Sequence, residues 1–251
     1  MITAVILAKN EEKNIEAAIE SVSFCEEIIV VDNNSSDKTA EYSKNAGAKV
    51  LRSGSKNFSE RRNLALQEAR YDWILYVDAD ERVSEKLSKE IKSSVEKNEY
   101  DVYYICREDY FWGKPVRFGE VRQAYTKGII RLVRKGSGKW CGAVHEIYVP
   151  DCQTGTLVNK IAHYSHEGIA DFLDTINKYS SLRASDLKKK GTIFSGHGLV
   201  IFPIAKFVYT FFLLQGFRDG AAGFVYSFMM SFHSFLVRSK LYLLTHSQSE
   251  R

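Results

Sequence analysis

The chain lacks the devices that would brace a small secreted domain, and it lacks the glycine loops that usually hold a nucleotide. Its four cysteines, Cys25, Cys106, Cys141 and Cys152, form no Cys-x-x-Cys pair and no paired spacing, which argues against a disulfide framework and for a reducing compartment. No Gly-x-Gly-x-x-Gly follows the first apolar run, and no Gly-x-x-x-x-Gly-Lys-Ser/Thr occurs anywhere. Neither a dinucleotide fingerprint nor a P-loop is therefore available, and Gly136-Ser-Gly138 reads as a hairpin. The opening Met1-Ile-Thr-Ala-Val turns polar by Lys9-Asn10-Glu11, too short an apolar run for a secretory signal, so the catalytic part is expected in the cytoplasm. A strong charge of one sign is absent too: 35 Lys and Arg face 31 Asp and Glu. After residue 170, however, the count is 10 to 5 in apolar surroundings. A basic, apolar tail points to an anionic membrane surface and not to nucleic acid.

What is present is 251 residues with 45% hydrophobic content, enough for one substantial α/β domain and an appendage. Residues 3–8 read as a buried strand, and Ile15, Ala18, Ile19 and Val22 then share a helical face. A second strand, Ile28–Val31, ends at Asp32, and a helix to about Ala46 stops at Gly47 before a short strand near Val50. Ser59 is the expected cap of a helix through Ala69, a strand covers 73–77, and Ser84 caps a helix carrying Leu87, Ile91 and Val95. This alternation predicts an α/β fold with a mostly parallel sheet flanked by helices. From 101 to 170 the pattern turns aromatic and β-rich, the place for a second substrate. Residues 1–100 would then bind the donor, 101–170 the acceptor, and 171–251 would form a helical extension. Its two apolar runs, Leu199–Gln215 and Ala221–Val237, fall just short of a bilayer span. An interfacial helical hairpin is expected, a spanning hairpin or a helical pair packed on the core or on a second subunit being the alternatives.

Three polar clusters follow three predicted strands: Asn10-Glu11-Glu12, Asp32-Asn33-Asn34 and Asp78-Ala-Asp80. In a parallel α/β sheet those strand ends share one edge, where ligands bind. Paired carboxylates at the mouth of a buried strand call for a cation. Without a glycine loop, a nucleotide would be held by Asp32, accepting from a base N–H or a ribose hydroxyl, and by a Mg²⁺ or Mn²⁺ ion joining Asp80 to a diphosphate.

In this order and spacing the clusters, with Ser59-Glu-Arg61-Arg62-Asn63 between them, resemble the family 2 glycosyltransferases of GT-A (Rossmann-like) fold. Tyr110-Phe-Trp112-Gly113, Ile130-Arg131-Leu132, Trp140-Cys-Gly-Ala-Val-His145-Glu146 and His163-Tyr164 are similar to the bacterial branch that includes the lipopolysaccharide core β-1,4-glucosyltransferases. The resemblance implies an inverting, metal-dependent transferase using a nucleotide sugar, commonly UDP-linked. It also implies that Glu11 and Asp32 contact the nucleoside, that Arg62 lies near the phosphates and that Asp78 and Asp80 form the Asp-x-Asp motif. Many relatives have Asp-Asp-Gly-Ser at Asp32-Asn-Asn-Ser35, and Glu-Asp at His145-Glu146.

Inverting transfer needs a base on the face of the sugar opposite the diphosphate. Glu146 is the expected base and His145 the substitute. His163 could complete the metal shell with Asp80 and Asp78, touch the diphosphate, or be a packed structural residue. Trp112, Trp140 and Phe111 are candidates for stacking on an acceptor sugar. A glycosidase is excluded because Asp78 and Asp80 would lie on one side of any substrate. The sequence thus points to a sugar transferase acting on a lipid-linked glycan such as a lipopolysaccharide core, peripheral on the inner face of the bacterial plasma membrane. A homo-oligomer through the C-terminal helices stays open. Transfer to polyprenyl phosphate, or a non-catalytic nucleotide-binding scaffold, would use the same pocket.

Overall fold

The structure, a computed structural model, describes residues 1–55, 57–142, 146–166, 168–192 and 194–246. The elements are β1 (Ile2–Ala8), α1 (Ile15–Ser21), β2 (Glu27–Asp32), α2 (Thr39–Asn45), β3 (Lys49–Arg52), α3 (Phe58–Glu68), β4 (Trp73–Asp78), β5 (Glu81–Arg82), α4 (Glu85–Lys97) and β6 (Val102–Phe111). There follow β7 (Lys114–Val116), α5 (Arg122–Lys127), β8 (Ile129–Arg134), β9 (Gly138–Cys141), β10 (Ile147–Pro150), β11 (Thr154–His166), α6 (Ile169–Lys189), α7 (Gly198–Val208) and α8 (Gly220–His246). The chain divides into two compact units, 1–108 with 124–163, and 109–123 with 164–251. The segment 109–123 thus groups with the C-terminal helices.

The first unit is built on a sheet of order β3-β2-β1-β4-β8-β6-β11-β5. Its first four strands are parallel, and β8 turns the direction by pairing antiparallel with both β4 and β6. Period-two alternation divides the core. Ala4, Ile6 and Ala8 of β1 join Trp73, Leu75 and Val77 of β4 and Leu87 and Ile91 of α4 on one face. Val5, Leu7, Ile74 and Tyr76 join Ala65 of α3, Trp140 and Tyr148 on the other. Asp78 continues the Tyr76 parity, so its carboxylate emerges on the face covered by α3, β9 and β10. Strand order places a switch point beside β1: the chain leaves β1 toward β2 and β3 on one side, then crosses to β4 on the other. Such a crossing opens a crevice at the carboxyl ends of the strands.

Two local expectations are revised. α3 is capped by Asn57, whose Oδ1 accepts from the Ser59 N–H at 3.0 Å; the amide side chain reaches the first-turn donors from outside the helix, and Ser59 already sits within it. Ser84 caps α4 as expected, accepting from the Leu87 N–H at 3.2 Å. The second revision is one of length. The last apolar run is a 27-residue helix, α8, and the first is a shorter α7 continued by a π-helical turn at Tyr209–Leu213. The second unit has its own core, in which Phe111, Val116 and Val121 meet Phe172, Ile176, Ala222 and Met229.

Candidate active site

Parallel register brings two of the three polar clusters level. Ala8 of β1 pairs with Asp32 of β2, and Leu7 pairs with Asp78 of β4, so both acids stand at the carboxyl edge on either side of β1. The third cluster is tied to the second by hydrogen bonds across the β1 and β2 loops. Asn10, in the left-handed region at φ 58°, donates its N–H to Ser35 Oγ at 2.9 Å and accepts from the Ser36 N–H through Oδ1 at 2.9 Å. Glu11 N–H reaches Thr39 Oγ1 at 2.7 Å, and Glu12 N–H reaches Asp37 Oδ2 at 3.1 Å. Asp32 is buried and accepts from the Ser35 N–H at 3.2 Å. Glu11 has its carboxyl raised, first by burial and also by the negative charges of Asp80 and Asp37, with an Asn14 hydrogen bond opposing. The nearby Asp80 charge ties the Glu11 loop to the acids after β4.

Asp78 and Asp80 separate in role. Asp78 Oδ1 lies 3.1 Å from Arg62 Nη2, and Asp78 Oδ2 lies 2.6 Å from Arg131 Nη2. Burial would raise its carboxyl, but the Arg131 and Arg62 guanidiniums overcome that and hold it well below the usual carboxylate range. Asp80 pairs instead with an imidazole, its Oδ2 3.2 Å from His163 Nε2. Burial works against its ionisation, and the His163 hydrogen bond and charge reverse the effect, so its carboxyl too is lowered. The backbone sets this pair, since His163 of β11 is the antiparallel partner of Glu81 in β5.

Whether these residues suit a divalent ion can be tested on the Asp80–His163 distance. Ligands about 2.1 Å from a Mg²⁺-sized ion on adjacent octahedral corners are roughly 3.0 Å apart, and the pair stands at 3.2 Å. The spacing admits both as ligands once the Nε2 proton that His163 shares with Asp80 has been given up. Among the described residues no group of three His, Cys, Asp or Glu could hold a metal ion, so the other positions would fall to substrate oxygens and water. Asp78 spends both oxygens on guanidiniums, which places it with the arginines.

Arg62, buried on α3, joins Asp78 to Glu146 across a 3.2 Å contact from Nε to Glu146 Oε1. Its guanidinium lies 4.6 Å from the Trp140 ring centroid. These groups line a cavity of 320 Å³ with Tyr104, Arg107, Gly128 and Tyr148. Arg62, Asp78 and Glu146, remote in sequence, therefore share one pocket. His145 lies outside the described residues. Trp140 is packed edge-on against Tyr76 and Tyr148, and Phe111 is buried in the second unit's core; Trp112 is 44% exposed.

Sequence reasoning passed over Glu81 and Arg131 as site residues. Glu81 is fully buried; its Oε2 accepts from the Asp78 N–H at 2.9 Å and its Oε1 lies 2.6 Å from Arg131 Nη2. Burial raises its carboxyl, Asp78 adds to the rise, and Arg131 opposes it. A glutamate directly after Asp-x-Asp and an arginine inside the apolar run Ile129–Val133 are the signals that could have found them, because a charge in a buried strand needs a partner.

Residues 3–142 match the glycosyl transferase family 2 profile. An uncharacterized glycosyltransferase of Rickettsia typhi is 33% identical over 96% of this chain and 86% of its own length. The lipopolysaccharide core biosynthesis glycosyltransferase LpsC of Rhizobium meliloti is 26% identical over 96% of this chain and 92% of its own. The S. aureus TarS 1–349 structure, in complex with UDP-GlcNAc, aligns over 98% of this chain and 92% of that one, with a TM-score of 0.50 at 14% identity. That likeness is one of fold, and it shows the GT-A-like sheet.

Proposed function

Because the chain belongs to glycosyl transferase family 2 and is a glycosyltransferase, we propose that it moves a hexose from a UDP-linked donor, with inversion, to a lipid-linked glycan such as a lipopolysaccharide core. The observation that carries this reading is the level placement of Asp32 and Asp78 beside β1, with Asp80 held 3.2 Å from His163 just beyond. Asn10, Glu11 and Asp32 form the nucleoside end, Asp32 supplying a buried acceptor for a base N–H or a ribose hydroxyl. Asp80 and His163 would hold Mg²⁺ or Mn²⁺, which when bound offsets the charge that gathers on the departing diphosphate.

Arg62 and Asp78 fix the sugar end of the donor. Glu146 takes the proton of the acceptor hydroxyl, and its 3.2 Å contact with Arg62 holds it at the cavity wall. In this reading residues 1–100 hold the donor and 101–170 contribute the acceptor side. The similarity to LpsC and the basic, apolar C-terminal region support a lipid-linked acceptor reached from the cytoplasmic face of the inner membrane.

A thermal-shift screen of UDP, GDP and CMP sugars, with and without Mn²⁺, tests the donor. A ligand at about a hundred times its dissociation constant adds about 2.7 kcal/mol. The expected result is a metal-dependent shift with a UDP sugar; no shift with any nucleotide would remove the reading. Glycan and polyprenyl phosphate acceptors, offered in parallel, separate the two transfer chemistries.

A further inference from the structure

We propose that the second unit docks on one leaflet of an anionic membrane as a monotopic surface, without crossing it. The inference deepens the membrane-peripheral part of the function above and rests on it. By length and composition Gly216–His246 could span a bilayer. Its packing argues otherwise. Lys240 of α8 bonds Asn177 Oδ1 at 2.6 Å and Ser180 and Ser181 Oγ at 2.8 Å, all on α6, and Lys188 of α6 bonds the Leu244 carbonyl at 2.7 Å. A spanning α8 would carry α6 with it, and α6 exposes Asp171, Asp174, Lys178 and Arg183. Hydrocarbon does not accept those charges.

The apolar surface lies instead on α7 and the first half of α8. Ile201, Ile204, Val208 and Phe212 form a stripe at i, i+3, i+7 and i+11, and Phe224 and Phe228 lie one turn apart on α8, each 43–59% exposed. Charge selects the occupant. Residues 198–246 hold four Lys or Arg (Lys206, Arg218, Arg238, Lys240) and one acid, Asp219. Lys206 pairs with Glu120 and Lys240 with α6, which leaves the exposed Arg218, and the half-buried Arg238 stacked over Phe202 of α7, as the cations that accompany this aromatic, aliphatic stripe and suit anionic headgroups above acyl chains.

Flotation of the full chain with phosphatidylcholine vesicles, with and without phosphatidylglycerol, tests this. Flotation should require phosphatidylglycerol and fall with salt. The double variant Ile204→Glu/Val208→Glu should float at least tenfold less while keeping wild-type helicity and UDP-sugar hydrolysis. Recovery in the alkaline carbonate pellet, with thiol probes near both ends of α8 labelled from opposite sides, would overturn the inference in favour of a span. A concentration-dependent dimer that ignores vesicles would assign the stripe to a second copy and overturn it too. A chain that floats as described but transfers no sugar upholds the inference and defeats the transfer reading; one that transfers to a soluble glycan without floating does the reverse.

A separate observation carries a second inference. The β6–β8 register pairs Tyr103 with Leu132 and Tyr104 with Ile130, leaving Arg131 as the unopposed residue of a bulge. Bulges re-aim side chains beside active sites, and this one sends Arg131 to Asp78 and Glu81. The geometry points to Arg131 and Glu81 as positioning residues, fixing the Asp78 carboxylate through the guanidinium and the 78–81 turn through the Asp78 N–H. Arg131→Met should lower kcat more than tenfold with little change in KM for the donor, and Arg131→Lys should recover part of it. Glu81→Gln/Arg131→Met leaves no lone buried charge and should restore the melting temperature, while kcat stays low. Recovery of kcat along with stability in the double variant would reduce the pair to a structural role.

Discussion

Asp78 and Asp80 are two residues apart and answer to opposite partners, two guanidiniums for one and an imidazole for the other. Asp80→Asn should therefore cost about 10²- to 10³-fold in kcat, the usual loss when one group stabilising developing charge is removed, and single-turnover kinetics at saturating donor checks it. Glu146→Gln should cost about 10²- to 10⁴-fold, as expected for a general base, with UDP affinity unchanged by calorimetry. The pH dependence of stability combines two signs. Asp78 and Asp80 have lowered carboxyls, so their contribution is complete above the ordinary value of 3.8 and is lost as pH falls below it. Glu11 and Glu81 have raised carboxyls, so the fold holds their protons more tightly and is weakened as pH rises above the ordinary 4.5 through their folded values. Thermal melts across pH 3–8 should show a maximum on the mildly acid side, and Glu81→Gln should flatten the neutral limb. Glu11, Asp78 and Asp80 were candidates in the sequence because each lies at or just after the end of a predicted strand, whereas Glu81 was passed over. The arginines that govern Asp78 were less legible, since their meeting depends on α3 and β8 arriving at one point.

At the scale of elements, α3 and the β8 approach carry the site. Asn57→Ala removes the cap of α3 and should cost about 1 kcal/mol of stability, with a rise in KM for the donor because Arg62 sits in the second turn; denaturant melts and steady-state kinetics read the two effects. Gly128 holds φ +70°, and a Cβ there would lie 2.8 Å from the Ile105 carbonyl carbon. Gly128→Ala should consequently destabilise the β6–β8 crossing and lower turnover together. The βαβ half was readable from hydrophobic period alone, and so were the helices carrying Leu87 and Ile91. The bulge at Arg131, the pairing of β5 with β11 and the Asn57 cap were not, because long-range register and a one-residue shift at a helix start leave no periodic signal.

For the whole molecule, the parallel β1–β4 half supplies a carboxyl edge with Asp32 and Asp78 level, and the second unit is built around a core of its own. The fold class was legible from the alternation of strands and helices. The division of the chain was not, since 109–123 joins helices that begin more than forty residues later. The central claim is a cation shared by Asp80, His163 and a nucleoside diphosphate. Calorimetric titration of UDP into the wild-type chain and Asp80→Asn, each with Mn²⁺ and with a chelator, tests it most directly. Wild type should bind UDP at least tenfold more tightly with Mn²⁺, and Asp80→Asn should lose that increment; equal UDP affinity in all four titrations would contradict the account.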